Sequence, residues 1–470
     1  MNPSPKKKKT TTLSKCIVRD RKGIQYKLSD KIGTGGQGAV WRVDSPNLAA
    51  KILTKSNHSL RDSLNSRIAY VRRLDLSGLN IAQPLESLAE PQCGYIMRFL
   101  RDMVSVKSLI RPVAEPITKE WYVATGGLKR RLRIMAKLAR LLANLHGRGL
   151  IYGDISEENV FISNRVEHNE VWLIDPDNIH HLSQPGGSKG CVYSPGFGAP
   201  ELVNGTGASS SYSDNYAFAV LCFKVLSLVH PFLGEYVEEG EPELEDATFA
   251  GELPWIEDPE NTINRTSHGV PRDWVLSAVL RKLFERVFGP GRHDRRIRPS
   301  AAEWAEALDK AADATLNCSK CQATYYRNQA SCPFCGNSNP IHCLCYLFLW
   351  DADKKCPYMT PAGKPKPFHS IVLCEGHSFE LCRRLAYGSG SEHDDSPVAI
   401  LTYQDRKLSV LCKESSNTRP RIVQAGKNIK FSGEELSVAL PNHSSQVEIH
   451  FGNNDEQHYF FICNTKKSPK

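Results

Sequence analysis

The chain has 470 residues, 40% hydrophobic and 24% charged, a composition of ordinary globular protein in two to three domains that excludes a disordered or fibrous chain. Sixty Lys and Arg against 51 Asp and Glu give a formal charge of +9 with no long basic stripe, which argues against nucleic acid as a partner. Fifteen cysteines without a secretory signal argue against a disulfide framework and for a reducing, cytoplasmic setting. The lysines at 6–9 and threonines at 10–12 lack an apolar core behind them. Residues 1–23 therefore read as a solvated, disordered basic tail, with a nuclear address or nucleic-acid arm as the alternative. No run reaches the roughly 18–20 uncharged apolar residues of a membrane helix. The best candidate, 216–229, is broken by Lys224 and reads as a buried helix.

From about residue 24 to 312 the pattern runs from short strands to helices. Gly33-Thr34-Gly35-Gly36-Gln37-Gly38-Ala39-Val40 separates two strand-like stretches. Glycines at 33, 35 and 38 allow a sharp turn that brings backbone N–H groups against phosphate oxygens. A dinucleotide fold would need the motif to open a helix, and Val40-Trp41-Arg42-Val43 reads as strand. Ala49-Ala50-Lys51-Ile52-Leu53 follows, with one lysine embedded in an apolar run. Such a lysine is costly unless it meets an anion or snorkels off an edge strand. An amphipathic helix over 134–145 precedes Tyr152-Gly153-Asp154-Ile155-Ser156-Glu157-Glu158-Asn159, which places Asp154 and Asn159 five residues apart between apolar stretches. Val171-Trp172-Leu173-Ile174 then ends in Asp175, a carboxylate at the end of a buried strand.

In that order these motifs resemble the eukaryotic-like (Hanks-type) Ser/Thr protein kinases of bacteria. Ala199-Pro200-Glu201, Ser213-Asp214-Asn215 at the start of a long helix, and Arg298-Pro299-Ser300-Ala301 extend the resemblance over about 290 residues. It implies a bilobal α+β kinase fold, with an N-lobe at about 24–100 and a C-lobe at about 101–312. It also implies ATP with Mg2+ (or Mn2+). Gly33, Gly35, Gly38 and Val40 would cover the nucleotide, and Lys51 would clamp its α/β-phosphates. Met97 would be the gatekeeper and 98–100, with Phe99, the adenine hinge. Asp154 would orient the substrate hydroxyl, Asn159 and Asp175 would hold metal, Asp214 would brace the catalytic loop, and Arg298 would pair with Glu201.

Tyr152-Gly153-Asp154, Asp175-Pro176-Asp177 and His230-Pro231-Phe232 narrow the resemblance to kinases of tellurite-resistance and stress operons. That implies a von Willebrand-factor-A protein and a metal-dependent Ser/Thr phosphatase as partners beside the protein substrate. Four departures stand out. Tyr152-Gly153 replaces His-Arg, and Ser156 stands where a lysine is usual. Pro176-Asp177 replaces Phe-Gly, which makes Asp177 a further candidate metal ligand. The regulatory helix expected at 59–76 has no glutamate, and Asp62 is the acid in its body. A nucleotide-binding pseudokinase scaffold is the alternative function. A zinc-dependent nucleic-acid binder is a third reading.

Cys318-x-x-Cys321 and Cys332-x-x-Cys335, over 317–339, have the spacing of a structural Zn2+ ribbon, against a redox dithiol as alternative. His342, Cys343, Cys345, Cys356, Cys374 and Cys382 are irregularly spaced and read as buried free thiols rather than a second metal site. Residues 340–470 are expected to be β-rich. From about Pro397 a small β-sandwich is read, with a hairpin turn at Gln404-Asp405-Arg406. The acidic run 238–246 is expected as a solvated insertion, with a docking site for a basic partner as the alternative.

Overall fold

The computed structural model describes residues 17–34, 38–53, 58–111, 118–183, 193–388, 397–413, 419–430, 434–440 and 445–466. In the first layer, β1 (Ile17–Arg19), β2 (Gln25–Thr34), β3 (Gly38–Val43), β4 (Leu48–Leu53), β5 (Pro84–Ser87) and β6 (Gly94–Arg98) form an antiparallel sheet. Its order is β1-β2-β3-β4-β6-β5. The disordered tail expected over 1–23 is corrected from 17 onward, because β1 pairs with β2 and buries Val18; residues 1–16 lie outside the described residues. Period-two alternation sends Val18, Tyr26, Leu28, Val43, Ala50 and Ile96 into one apolar cluster. It turns Lys51 and its cross-strand partner Tyr95 to the other face, where α1 (His58–Val71) adds Leu64 and Ile68. Because β4 lies between β3 and β6, Lys51 is on an interior strand, and the edge-strand explanation for it falls away.

The helical half contains β7 (Met103–Ser105), α2 (Lys119–Ala124), α3 (Gly127–Gly147), β8 (Leu150–Ile151), β9 (Val160–Ser163), β10 (Val171–Leu173), β11 (His180–His181) and α4 (Pro200–Val203). It continues through α5 (Ser211–Ser227), α6 (Glu235–Glu238), α7 (Pro242–Phe249), α8 (Arg272–Val275), α9 (Ala278–Phe288) and α10 (Ala301–Asp313). A capping box between Ser210 and Ser213 starts α5, and Leu228 in the left-handed region ends it. Every residue from 213 to 227 except Lys224 is buried, so α5 is a central core helix rather than an amphipathic surface one. Phe218 meets Trp304 at 5.7 Å and Phe223 meets Phe284 at 5.2 Å, tying α5 to α9 and α10. No helix among the described residues is long and apolar enough to cross a membrane. The acids of the 238–246 run are exposed on and between α6 and α7.

β12 (Thr315–Asn317) and β13 (Thr324–Tyr326) pair directly after α10. The rest is β-rich: β14 (His342–Asp351), β15 (Cys356–Pro357), β16 (His369–Cys374), β17 (His377–Cys382), α11 (Arg383–Tyr387), β18 (Pro397–Gln404) and β19 (Lys407–Cys412). β20 (Arg421–Gln424), β21 (Lys427–Ile429), β22 (Glu435–Ala439), β23 (Gln446–His450) and β24 (His458–Lys466) complete it. One sheet runs β15-β14-β24-β23-β20-β21 with β16 also on β14; the other runs β17-β18-β19-β22. Their inner faces share one core that includes Leu347, Ile371, Leu401, Tyr403, Ile449 and Phe461. The hairpin forms with Gln404 opposite Lys407 and with Asp405 and Arg406 at positive φ. The sandwich read from about Pro397 needs a correction, because β14, β16 and β17 belong to it. β14 pairs with β24 from His342↔Lys466 to Trp350↔His458, a contact across more than a hundred residues that no local pattern announces.

An ionic knot fastens this region to the helical half. Asp309 on α10 takes Arg133 (2.8 Å) and Arg140 (2.6 Å) of α3 and Arg384 of α11 (3.2 Å). Asp313, one turn on and 1% exposed, takes Arg133 and the His369 ring of β16 (2.7 Å). Burial pushes the Asp313 carboxyl up, but Arg133, the His369 bond and Lys129 outweigh it and hold it below its usual value. Asp313→Asn is expected to lower unfolding free energy by about 3 kcal/mol near pH 7, since it leaves buried cations facing a neutral amide. A group with a depressed folded pKa contributes its stability above its unfolded pKa, about 3.9, and loses it as pH falls through the folded value. Denaturant unfolding should therefore show a constant gap between parent and variant above about pH 4 that shrinks below it.

Candidate active site and four-cysteine centre

Lys51 is the first element of the site. Its ammonium lies 2.9 Å from Asp175 Oδ1 and 3.0 Å from Asp177 Oδ2, with the Tyr95 ring 5.8 Å away. Burial lowers the lysine's pKa, yet the two carboxylates more than compensate and hold it above its usual value, so it stays charged. The strands beside it form a tight wall. Gly33 pairs with Val40, Val40 pairs with Lys51, and a Cβ on Gly38 would lie 2.5 Å from the Ile52 carbonyl oxygen, so only glycine fits there. Gly35 lies outside the described residues. Met97, half-buried, pairs with Ala49 on β6. The Phe99 N–H is bonded to the Asn47 carbonyl (2.9 Å) and its ring is covered by the Arg42 guanidinium, 4.6 Å from the ring centre.

The second element is the loop after β8. The Tyr152 and Gly153 N–H groups donate to Asp214 Oδ2 (2.8 Å) and Oδ1 (2.9 Å), and the His146 ring meets Oδ2 at 2.9 Å. Gly153 has φ +88°, a conformation that a side chain would strain. Beyond this anchor, Asn159 Nδ2 donates to Asp154 Oδ2 (2.9 Å) and to the Asp154 carbonyl (2.8 Å). Ser194 donates its hydroxyl to Asp154 Oδ1 (2.9 Å). The β9–β10 hairpin then delivers Asp175: Val160 opposes Leu173, and the Ile174 N–H donates to the Asn159 carbonyl (3.0 Å). The buried Tyr152 phenol donates to the Ile174 carbonyl. Asp175 has φ +55° and a side chain 37% exposed, so its carboxylate faces open space as well as Lys51.

Arg298 grips Glu201 with two 2.8 Å bonds, as the sequence led us to expect. Asp62 is exposed on α1, and the ion pairs of Lys51 run to the 175–177 turn instead. Ser156 is 1% exposed and its hydroxyl has no hydrogen-bond partner. Sequence reasoning missed Ser194, His146 and the 2.8 Å pair between Lys224 and Glu157. Ser194 is an ordinary Ser-Pro residue, and its contact with Asp154 spans 40 residues, so only the fold announces it.

The four cysteines converge separately. Cys318, Cys321, Cys332 and Cys335 have all their sulfurs within 4.8 Å of one another, with Cys318–Cys335 at 3.5 Å and Cys321–Cys332 at 3.6 Å. Ligands at 2.3 Å in a tetrahedron stand about 3.8 Å apart, so this set fits a tetrahedral thiolate site. Burial raises the Cys318 thiol, but the N–H groups of Cys321 and Lys320 and the neighbouring thiols bring it down to about 7. Phe334, inside the second knuckle, stacks on Tyr122 (5.7 Å) and meets Trp274 edge-on (5.4 Å), seating the ribbon on α2 and α8. Among the described residues no second metal-ligating cluster forms; Cys343, Cys345 and Cys463 are buried in the sandwich core.

Comparison with known proteins agrees with this geometry. A serine/threonine-protein kinase, pkn2, of Myxococcus xanthus is 26% identical over 295 residues, 60% of this chain and 32% of that protein. The kinase and exchange factor for Rac B of Dictyostelium discoideum is 26% identical over 314 residues, 62% of this chain and 25% of that protein. Mouse ribosomal protein S6 kinase alpha-3 is 33% identical over 223 residues, 45% of this chain and 28% of that protein. The chain thus spans about a quarter to a third of the length of these relatives. The protein kinase domain model matches residues 26–304, more than half of the chain, and the chain belongs to the protein kinase domain family.

Proposed function

We propose that the chain is an ATP- and Mg2+-dependent protein kinase that transfers the γ-phosphate to Ser or Thr of a protein substrate, in bacterial stress signalling or defence. The observation that carries this reading is the charged Lys51 held at Asp175, facing a catalytic loop whose Asp154 is oriented by Asn159 and Ser194. In the reaction the substrate oxygen bonds to the γ-phosphorus, the bond to the β-phosphate oxygen breaks, and ADP leaves with that electron pair. Asp154 orients the hydroxyl and accepts its proton. Lys51 offsets charge on the α- and β-phosphates from its interior strand. The residues fit a divalent ion: Asp175 presents a part-exposed carboxylate, and Asn159 turns its amide nitrogen to Asp154 and so its oxygen away from it. Mg2+ (or Mn2+) held there would neutralise phosphate charge. A preference for Ser/Thr follows the M. xanthus serine/threonine-protein kinase relative and the family resemblance.

One observation favours the second reading, a nucleotide-binding scaffold. Ser156 is buried and unpartnered where kinases usually carry a phosphate-contacting lysine, so one source of charge stabilisation is missing. The von Willebrand-factor-A and phosphatase partners, and the cytoplasmic location, rest on the resemblance and the thiol chemistry alone.

With labelled ATP and Mg2+, phosphate is expected on the protein or on a generic basic substrate. Asp154→Asn should cut the rate by about 100-fold or more. Absence of label from both, with ATP still raising Tm in a Lys51-dependent way, would favour the scaffold.

The ribbon is proposed to bind one structural Zn2+ through Cys318, Cys321, Cys332 and Cys335. Elemental analysis of the purified chain should give one zinc, Cys335→Ser should lose it, and chelation should lower Tm. A metal-free parent with unchanged Tm would refute the site.

A further inference from the structure

Kinase-like sites need a second carboxylate to hold their lysine, and here the regulatory helix does not supply one. α1 has Asp62 as its acid, and that side chain is exposed. Asp177 is 4% exposed, lies 126 residues from Lys51 in sequence, and places Oδ2 3.0 Å from the ammonium. A carboxylate this deeply buried is stable as an ion only against a partner charge, and Lys51 is that charge. We infer that Asp177 is the positioning residue of the lysine, replacing the missing carboxylate of α1, so that the 175–178 turn and not the helix sets Lys51 for nucleotide.

The turn is built for this. Asp175 adopts φ +55°, Pro176 starts a 3-10 turn with a fixed φ and no N–H to satisfy, and residues 175 and 177 both reach the same ammonium. The two carboxylates differ in access. Asp175 is 37% exposed and available to a metal ion, whereas Asp177 is 4% exposed and near Tyr95, whose phenol is held well above its usual value, and so neutral, by burial and the two carboxylates. When nucleotide and metal engage Asp175, Lys51 keeps Asp177. α1 touches the turn through Arg67, whose guanidinium donates to Asn178 Oδ1 at 3.3 Å. Movement of α1 therefore acts on the lysine through the turn, and no ion pair between helix and lysine has to break. This assignment replaces the expectation that Asp177 is a metal ligand.

The inference rests on the proposed nucleotide site, and the test separates the two. ADP binding, read with a fluorescent analogue, is measured for the parent, Lys51→Met, Asp177→Asn and the double variant. If Asp177 acts through Lys51, each single change weakens binding several-fold and the double change adds less than twofold to Lys51→Met. Full additivity would overturn the inference. Asp177→Ala, which removes the carboxylate without adding bulk, serves the same cycle if Asp177→Asn does not fold. In the kinase assay Asp177→Asn should lower kcat at least tenfold with the Mg2+ requirement unchanged, Asp177→Glu should restore part of it, and Asp62→Ala should stay within twofold of parent. A tenfold rise in the Mg2+ needed, with kcat recovered at saturation, would make Asp177 a metal ligand instead. If the parent transfers no phosphate, the proposed activity fails while the binding cycle still decides the role of Asp177.

Discussion

A carboxylate buried at the start of α5 holds the loop after β8 in register. Asp214 is 2% exposed and accepts two backbone N–H groups of the loop after β8, with the His146 ring as a third partner. A charge so placed is tolerable only when its lone pairs are filled, and the groups that fill them belong to the turn carrying Asp154. Because α5 is enclosed on nearly all sides by Phe284, Phe288, Trp255 and Trp304, it cannot shift without disrupting the core. The position of Asp154 is thereby referred to the buried core of the helical half.

From that anchor the charges divide by depth. Lys51 and Asp177 form a pair buried from solvent, while Asp175 and Asp154 keep open edges. In the proposed reading the buried pair fixes geometry and the open groups meet reactants, as phosphoryl transfer depends on placed charge. The substitutions of this chain are consistent with one another. Tyr152 fills the usual histidine position and bonds to the Ile174 carbonyl, steadying the strand end from which the Asp175 turn departs.

The four-cysteine segment and the sandwich both pack on the helical half. Phe334 seats the cysteine centre between Tyr122 and Trp274, and Asp309 and Asp313 bind three arginines and a histidine drawn from the lobe and the sandwich. The side of the C-lobe formed by α3 and α10 is therefore committed to internal contacts, and the knot fixes the sandwich's orientation on the lobe.

The sequence alone determined what depends on neighbours along the chain. The glycine turn, the lysine in an apolar run, the five-residue spacing of Asp154 and Asn159, and the paired cysteine knuckles are each chemistry at short range, and short-range geometry follows from residue type. The same holds for α5, whose apolar run, interrupted by Lys224, made it a core helix before any contact was known. Tertiary structure decided the rest: that Asp177 faces Lys51, that Ser194 reaches Asp154, that His146 joins Asp214, and that β14 closes on β24. Each of those contacts joins segments 40 to 126 residues apart, through residues common in any loop or strand. Their identity carries no signal until burial forces unpaired charge and unpaired backbone to find partners, and the folded core sets which partners are within reach.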